Sequence, residues 1–122
     1  MRSAVAILFL IETCLYAIAS LTHAGFVLEG HEHRQAMIAE AVISAVLLLG
    51  LISLGLDRSW SRTAAIFAQS FALLGTLVGA FTIAVGVGPQ TNLDYITHTV
   101  MILLLVTGLV WLARSRSASS LG

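Results

Sequence analysis

Four long apolar stretches alternate with short polar segments along the chain. The polar segments LEGHEHRQ, DRSWSR and PQTNLD hold most of the charged residues and the only proline, and the apolar stretches cover residues 4–27, 36–56, 63–88 and 95–113. A transmembrane helix needs about 20 mostly apolar residues, and only helices satisfy their own backbone hydrogen bonds across such spans. The pattern therefore predicts four transmembrane helices.

The short links between these stretches predict the topology. Neighbouring helices joined by so few residues run antiparallel, which gives an all-α, up-down four-helix bundle in the membrane. We expect this transmembrane domain over residues 1–113, followed by a polar cytoplasmic tail at 114–122. The first stretch follows Arg2 as a secretory signal would. Glu12 interrupts it, however, and it is too long for a signal, so we expect a retained first helix.

The composition narrows the class of protein. Of the 122 residues, 58% are hydrophobic and 10% are charged, which is more apolar surface than a soluble domain of this size can bury. Six arginines balance six acids, so the net charge indicates no nucleic-acid partner. The single cysteine, Cys14, excludes an intramolecular disulfide and a CxxC redox pair. Motifs of hydrolases and nucleotide enzymes are absent as well, so the sequence does not predict an enzyme by itself.

The arginines predict the orientation in the membrane. Arg34 falls on one side of a four-span chain, and the other five fall on the opposite side, namely Arg2, Arg58, Arg62, Arg114 and Arg116. Positive residues in short loops collect on the cytoplasmic side. We therefore expect a multi-pass protein of a bacterial inner membrane, in contact with lipid and with both termini in the cytoplasm.

The opposite, outer half of the chain collects the other polar residues. All four histidines and five of the six acids fall there, with Asp57 as the exception. At about 100° per residue, Glu12, Tyr16 and His23 share one face of the first helix. Ionisable groups inside a membrane usually face the bundle interior, so we predict a polar cavity that opens to the outer side. The predicted lining consists of Glu12, Tyr16, His23, Glu40, Asp94 and His98, with Gln69 and Thr76 from the third helix.

Two histidines from different helices, His23 and His98, lie at similar predicted depth. Facing imidazoles would ligate haem b across the bundle. The same pair with Glu40 and His33 would instead hold a zinc, copper or iron ion, with Asp94 orienting His98. On either interpretation the protein is a redox or accessory subunit. The alternative is that the histidines only hydrogen-bond to neighbouring polar groups, because no spacing here is a diagnostic metal motif.

The outer link contains a second histidine pattern, His31 and His33 in an HxH pair. In an extended loop both side chains point the same way and can chelate a metal, whereas on a helix they diverge. A solvated loop is the simpler interpretation.

Glu12 lies near the middle of the first helix, where an unpaired carboxylate is costly. One hypothesis is that Glu12, beside Tyr16, carries protons or binds a cationic substrate in a proton-coupled transporter. The other is a structural hydrogen bond to Tyr16 or to Gln69 across the core, in a subunit whose polar groups only fix the helix register.

The third helix carries a ridge of small residues that includes GTLVG, a pattern that lets another helix approach closely. The ridge indicates packing within the chain or, equally, an interface in a homodimer or a larger membrane complex. It consists of Ala68, Ala72, Gly75, Gly79, Thr82 and Gly86.

Two resemblances to known families follow from these residues. The segment EAVISAVLLLGL (40–51) resembles the second helix of DoxX-like proteins, small four-span bacterial membrane proteins with partly redox-linked roles. The rest of the chain does not follow that family, so the resemblance does not carry over a redox role.

The overall plan, four short spans with one glutamate in LFLIETCLYAIA, resembles small multidrug resistance transporters. In that family the carboxylate of the first helix binds protons and cationic drugs in competition, so the resemblance implies this role for Glu12. The third helix departs from the family, because FAQSFALLGTLVG stands where the family carries a tryptophan-serine-glycine signature. The histidine-rich link is also foreign to it. The resemblance is therefore one of architecture.

Overall fold

The computed structural model describes residues 2–115, which form four helices joined by short links. The helices are α1 (Arg2–His23), α2 (Arg34–Leu56), α3 (Ser61–Ala84) and α4 (Asn92–Arg114). Each is long and apolar enough to cross a membrane. The predicted all-α, four-helix fold is confirmed. Most of the predicted polar tail, including Arg116, lies outside the described residues.

Two helices end four residues earlier than the apolar stretches that predicted them. After α1, Gly25 adopts a left-handed conformation with φ of 84°, and the backbone N–H of Phe26 donates to the carbonyl of Leu21. After α3, Gly86 has φ of 91°, and Val87 N–H donates to the carbonyl of Thr82. This 6→1 bond after a left-handed glycine is the Schellman motif. The two ends are therefore set by glycine geometry, although the apolar sequence continues beyond them.

The other two helices begin at side-chain caps. The imidazole Nδ1 of His33 accepts a hydrogen bond from Ala36 N–H before α2. Before α4, Thr91 and Asp94 form a reciprocal capping box. Both arrangements satisfy backbone donors that the first turn of a helix leaves without partners. The caps place His33 and Asp94 at the same end of the bundle as the carboxyl end of α1.

The helices form a four-membered antiparallel ring. Each contacts its neighbours in the chain, and α4 closes the ring against α1. The centre is filled by buried apolar side chains such as Phe9, Leu47, Ala72 and Leu105. Large apolar side chains on the outer surface, including Leu49 and Phe67, are exposed. An apolar outer surface of this kind is what a bilayer covers.

The small residues of α3 let neighbouring helices of the same chain pack closely against it. Ala68 and Ala72 are buried. A Cβ atom on Gly75 would lie 2.9 Å from Ile43 of α2, and one on Gly79 would lie 2.9 Å from His98 of α4. Gly86 belongs to the turn after α3. Packing within the chain therefore accounts for the ridge, and a homodimer or larger complex stays a prediction.

Candidate functional site

The cavity of interest lies where α1 and α3 end and α2 and α4 begin, which we call the histidine end. It has a volume of about 210 Å³. Its wall is mostly apolar, and Gly75 and Gly79 leave room along α3. Four ionisable side chains line it, namely His23, His33, Asp94 and His98. Of the predicted lining, His23, Asp94 and His98 come together here with the adjacent Glu40, whereas Glu12 and Tyr16 lie deeper in the bundle.

His23 is held in one orientation by the link that follows α1. Its Nδ1 lies 2.7 Å from the carbonyl oxygen of His31. Because a carbonyl oxygen only accepts, Nδ1 carries the hydrogen, and the Nε2 of neutral His23 has a free lone pair. That Nε2 lies 3.5 Å from Oε1 of Glu40. The folded link thus presents His23 to a carboxyl group of the neighbouring helix.

Glu40 is only 7% exposed. Its second oxygen, Oε2, is buried and has no hydrogen-bond partner among residues 2–115. Asp94 is close enough to Glu40 to interact with it electrostatically. A buried carboxyl that lacks a partner usually has a functional role inside a membrane. This carboxyl is therefore suited to hold a proton or a cation beside the cavity.

His98 is oriented in the same way, by a backbone carbonyl oxygen of its own helix. Its Nδ1 lies 2.9 Å from the carbonyl oxygen of Asp94, so its Nε2 is the free atom, and that atom faces Gly79. Asp94 therefore orients His98 as an acceptor, as the sequence suggested, but through its backbone carbonyl oxygen. The carboxylate of Asp94 instead accepts hydrogen bonds from the backbone N–H of Thr91 at 2.8 Å and from its hydroxyl at 2.7 Å.

His33 has the opposite tautomer. Because its Nδ1 accepts a hydrogen bond from Ala36 N–H, Nε2 carries the hydrogen of the neutral ring. Its ring centroid lies 6.4 Å from that of His23. Within residues 2–115 no group of three or more His, Cys, Asp or Glu side chains is arranged to hold a metal ion. The metal set predicted from His23, His33, Glu40 and His98 is therefore not gathered at one point.

Two polar pairs cross the bundle below the cavity, each joining α1 to α3 on the far side of the ring. Tyr16 is hydrogen-bonded to Thr76. The Thr76 hydroxyl donates to the carbonyl of Ala72 at 2.7 Å, so Tyr16 is the donor to Thr76. One turn deeper, Gln69 Nε2 donates to Oε2 of Glu12. The hydrogen bond between Glu12 and Gln69 that the sequence suggested is therefore present.

The Glu12–Gln69 pair is only half satisfied. Glu12 is 1% exposed and Gln69 is fully buried. Oε1 of Glu12 and Oε1 of Gln69 are both buried without a partner in the described chain. A carboxylic acid and an amide can form two hydrogen bonds, whereas a carboxylate and an amide form one. A proton on Glu12 would therefore supply the donor that this pair lacks.

Gly108 of α4 supports this pair, and the sequence pattern did not identify it. A Cβ atom there would lie 2.8 Å from Nε2 and 3.1 Å from Oε1 of Gln69. The amide therefore rests flat on the backbone of α4. The one available signal was a glycine inside the apolar run LLLVTGLVW, and this pattern is common to many membrane helices.

Along α1, the buried residues between Glu12 and the start of the helix are Val5, Leu8 and Phe9, which are all apolar. At the same end of the bundle, α2 and α3 bury two serines, Ser53 and Ser61. The other buried ionisable side chains of residues 2–115 all lie between Glu12 and the histidine end.

The fold and this site define a class: a multi-pass membrane protein whose four-helix bundle encloses ionisable side chains. Comparison of the chain with protein-family models, with curated proteins and with solved structures gives no match in any of the three. The resemblances to DoxX-like proteins and to small multidrug resistance transporters accordingly stay predictions.

Proposed function

We propose that the protein is a proton-coupled transporter of a small cation, with Glu12 as the proton carrier and the cavity at the histidine end as the binding site. The observation that carries the proposal is the Glu12–Gln69 pair, a fully buried carboxyl and amide with one oxygen of each unpaired. The pair is better satisfied with a proton than without one. Releasing that proton creates a buried charge that must be compensated, and a cation would compensate it.

The position of the polar groups supports access from one side. His23 and Glu40 lie beside the cavity, Tyr16 and Thr76 lie one layer deeper, and Glu12 lies at the bottom. Imidazole side chains gain and lose protons near neutral pH. A proton from the histidine end therefore meets titratable groups on its way to Glu12, whereas the buried side chains of α1 on the other side of Glu12 are apolar.

The cavity favours a small cation over a large ligand. Its volume of about 210 Å³ is below the range of about 300–1,000 Å³ that is typical of pockets for drug-sized molecules. Asp94 supplies negative charge, Glu40 supplies a second charge when it releases its proton, and the apolar remainder of the wall suits alkyl groups. Tetramethylammonium is therefore the first substrate to test.

The test uses proteoliposomes that contain a pH-sensitive dye and an imposed pH gradient. We expect tetramethylammonium, which has no membrane-permeable neutral form, to cause proton movement with the wild-type protein and none with Glu12→Gln. Glu12→Gln keeps the shape of protonated Glu12 and can form two hydrogen bonds with Gln69, so the variant should fold. Equal proton movement with the variant would disprove the proposal. If the wild-type protein moves no protons and Glu12→Gln only lowers the stability of the protein, the result would favour a structural subunit.

Metal binding is the second candidate, and the tautomers of two histidines favour it. His23 and His98 both donate from Nδ1 to a backbone carbonyl, the outer contact that metal-binding histidines usually make. Both keep Nε2 free for a ligand bond. The cavity volume favours a single metal ion over haem b, since a haem is larger than most drug-sized molecules.

Two measurements on the detergent-purified protein separate these ligands. An absorption spectrum, oxidised and then reduced with dithionite, detects haem through a Soret band that shifts on reduction. Titration with Zn²⁺ or Cu²⁺ detects a colourless or weakly coloured metal site. If metal binds here, His23→Ala and His98→Ala should each weaken it about 10- to 100-fold or more, and His31→Ala should not. Unchanged affinity in both variants would exclude this site.

A further inference from the structure

A second cavity lies at the opposite end of the bundle, which we call the arginine end. Its volume is about 280 Å³. Arg2, Arg58 and Arg62 line it together with Ser61 and Ser115, and the apolar part of the wall consists of Val5, Leu54 and Leu112. Three of the six arginines of the chain line this one small cavity, so positive charge is concentrated there.

The charge of the arginine cavity is only partly balanced. Within residues 2–115, Asp57 is the acidic residue of this end, and it pairs with Arg2. Arg62 is held by a neutral group, because its Nε and Nη2 donate to the carbonyl oxygen of Leu112 at 3.0 and 2.6 Å. Arg58 forms no ion pair in the described chain. Two positive charges therefore remain for an anion.

The backbone adds to this positive potential. The first turn of α3 borders the cavity through Ser61 and Arg62. Its first N–H, that of Ser61, donates to the carbonyl of Arg58, and within residues 2–115 no side chain caps this N-terminus. The positive end of a helix dipole and free N–H groups favour anions, phosphate in particular. Arg62 is already fixed by its bonds to α4, so little of its side-chain entropy would be lost on binding.

We propose that this cavity binds the phosphate group of an anionic phospholipid. The guanidinium groups match a phosphate in charge and in hydrogen-bonding geometry. The apolar wall formed by Val5, Leu54 and Leu112 suits the lipid beyond its headgroup. The cavity also lies at the ends of four membrane-spanning helices, the level at which headgroups are found, and basic pockets between helices bind such headgroups.

The experiment is native mass spectrometry of the full chain in a non-ionic detergent, titrated with dioleoyl phosphatidylglycerol. Dioleoyl phosphatidylcholine, whose phosphate is neutralised within its own headgroup, serves as the comparison lipid. We expect Arg58→Gln to weaken phosphatidylglycerol binding about fivefold, the effect of one arginine near an anionic headgroup. The hydrogen bonds between Arg58 and Ser61 use the backbone of Arg58, which glutamine keeps, so this variant should fold normally.

Two further variants show whether the cavity or general charge is responsible. Arg114→Gln removes a positive charge from the same end without altering the cavity wall, and it should leave affinity unchanged. Asp57→Asn removes the competing carboxylate and releases Arg2, so it should tighten binding. Equal losses in Arg58→Gln and Arg114→Gln, or equal wild-type affinity for the two lipids, would overturn the proposal. Displacement of phosphatidylglycerol by millimolar inorganic phosphate would assign the cavity to soluble phosphate and overturn the lipid assignment.

Discussion

At the residue scale, the centre of the protein depends on a carboxyl, an amide and a glycine from three different helices. Glu12 and Gln69 meet across the ring, and Gly108 supplies the flat surface under the amide. Sequence periodicity indicated that Glu12, Tyr16 and His23 share a face, and all three are buried. It offered Gln69 only as one of two partners for Glu12, because helical spacing gives a direction but no distance between helices.

Replacing Gly108 by alanine should therefore disturb Gln69 first. The added Cβ would lie 2.8 Å from Nε2 of Gln69, and overpacking of this kind costs about 1–3 kcal/mol of the free energy of unfolding. Unfolding in detergent measures the cost. Gly55→Ala is the matched control, since a Cβ there meets no atom within 4 Å and alanine is the better helix former.

The origin of the stability lost in Gly108→Ala can be checked in a protein that also carries Gln69→Ala. If the displaced amide is responsible, Gly108→Ala should cost much less when Gln69 is already alanine. The same cost in both backgrounds would show that some contact other than Gln69 resists the substitution.

The number and approximate place of the helices could be predicted from sequence because each span is an apolar run of membrane length. Their ends could not. The first apolar run continues past His23 to Val27, yet α1 ends before Gly25, which adopts a left-handed conformation. Hydropathy averages over many residues, whereas a Schellman turn depends on one residue's φ. The tautomers of the histidines could not be predicted either, since the carbonyl oxygens and the N–H group that fix them belong to the backbone.

The ion pair between Arg2 and Asp57 joins the start of α1 to the end of α2. The hydrogen bond from Arg2 and the attraction of its charge hold the pKa of Asp57 below its usual range. A lowered pKa means that the pair contributes stability above the unfolded-state pKa of about 3.9. That contribution is lost as pH falls through the lower, folded-state pKa.

Thermal unfolding of Asp57→Asn and wild type in detergent tests this contribution. Asparagine tolerates the left-handed backbone at position 57, where φ is 50°. The Tm difference between the two proteins should be small at neutral pH, because the pair is exposed. It should shrink at strongly acidic pH. A Tm difference that grows on acidification would contradict the assigned role of the pair.

At the scale of the whole molecule, the bundle is polarised along its axis. One end gathers histidines and acids around a cavity, and the other gathers arginines around a second cavity. The distribution of charged residues along the sequence indicated this polarity, since the up-down topology sends alternate links to the same end. Which residues line a cavity depends on where the helices begin and end, so the sequence alone grouped Glu12 and Tyr16 with the cavity lining although they lie below it.

The long sequence separation between Glu12 and Gln69 has a consequence for how the chain is made. The two residues lie 57 positions apart, so α1 leaves the ribosome well before α3 exists. A lone helix carrying a mid-membrane carboxyl inserts at a cost. Until α3 has inserted, Glu12 of the nascent α1 must stay protonated, or α1 must stay bound to the insertion machinery. Biogenesis of this small protein therefore depends on the order in which its helices reach the bilayer.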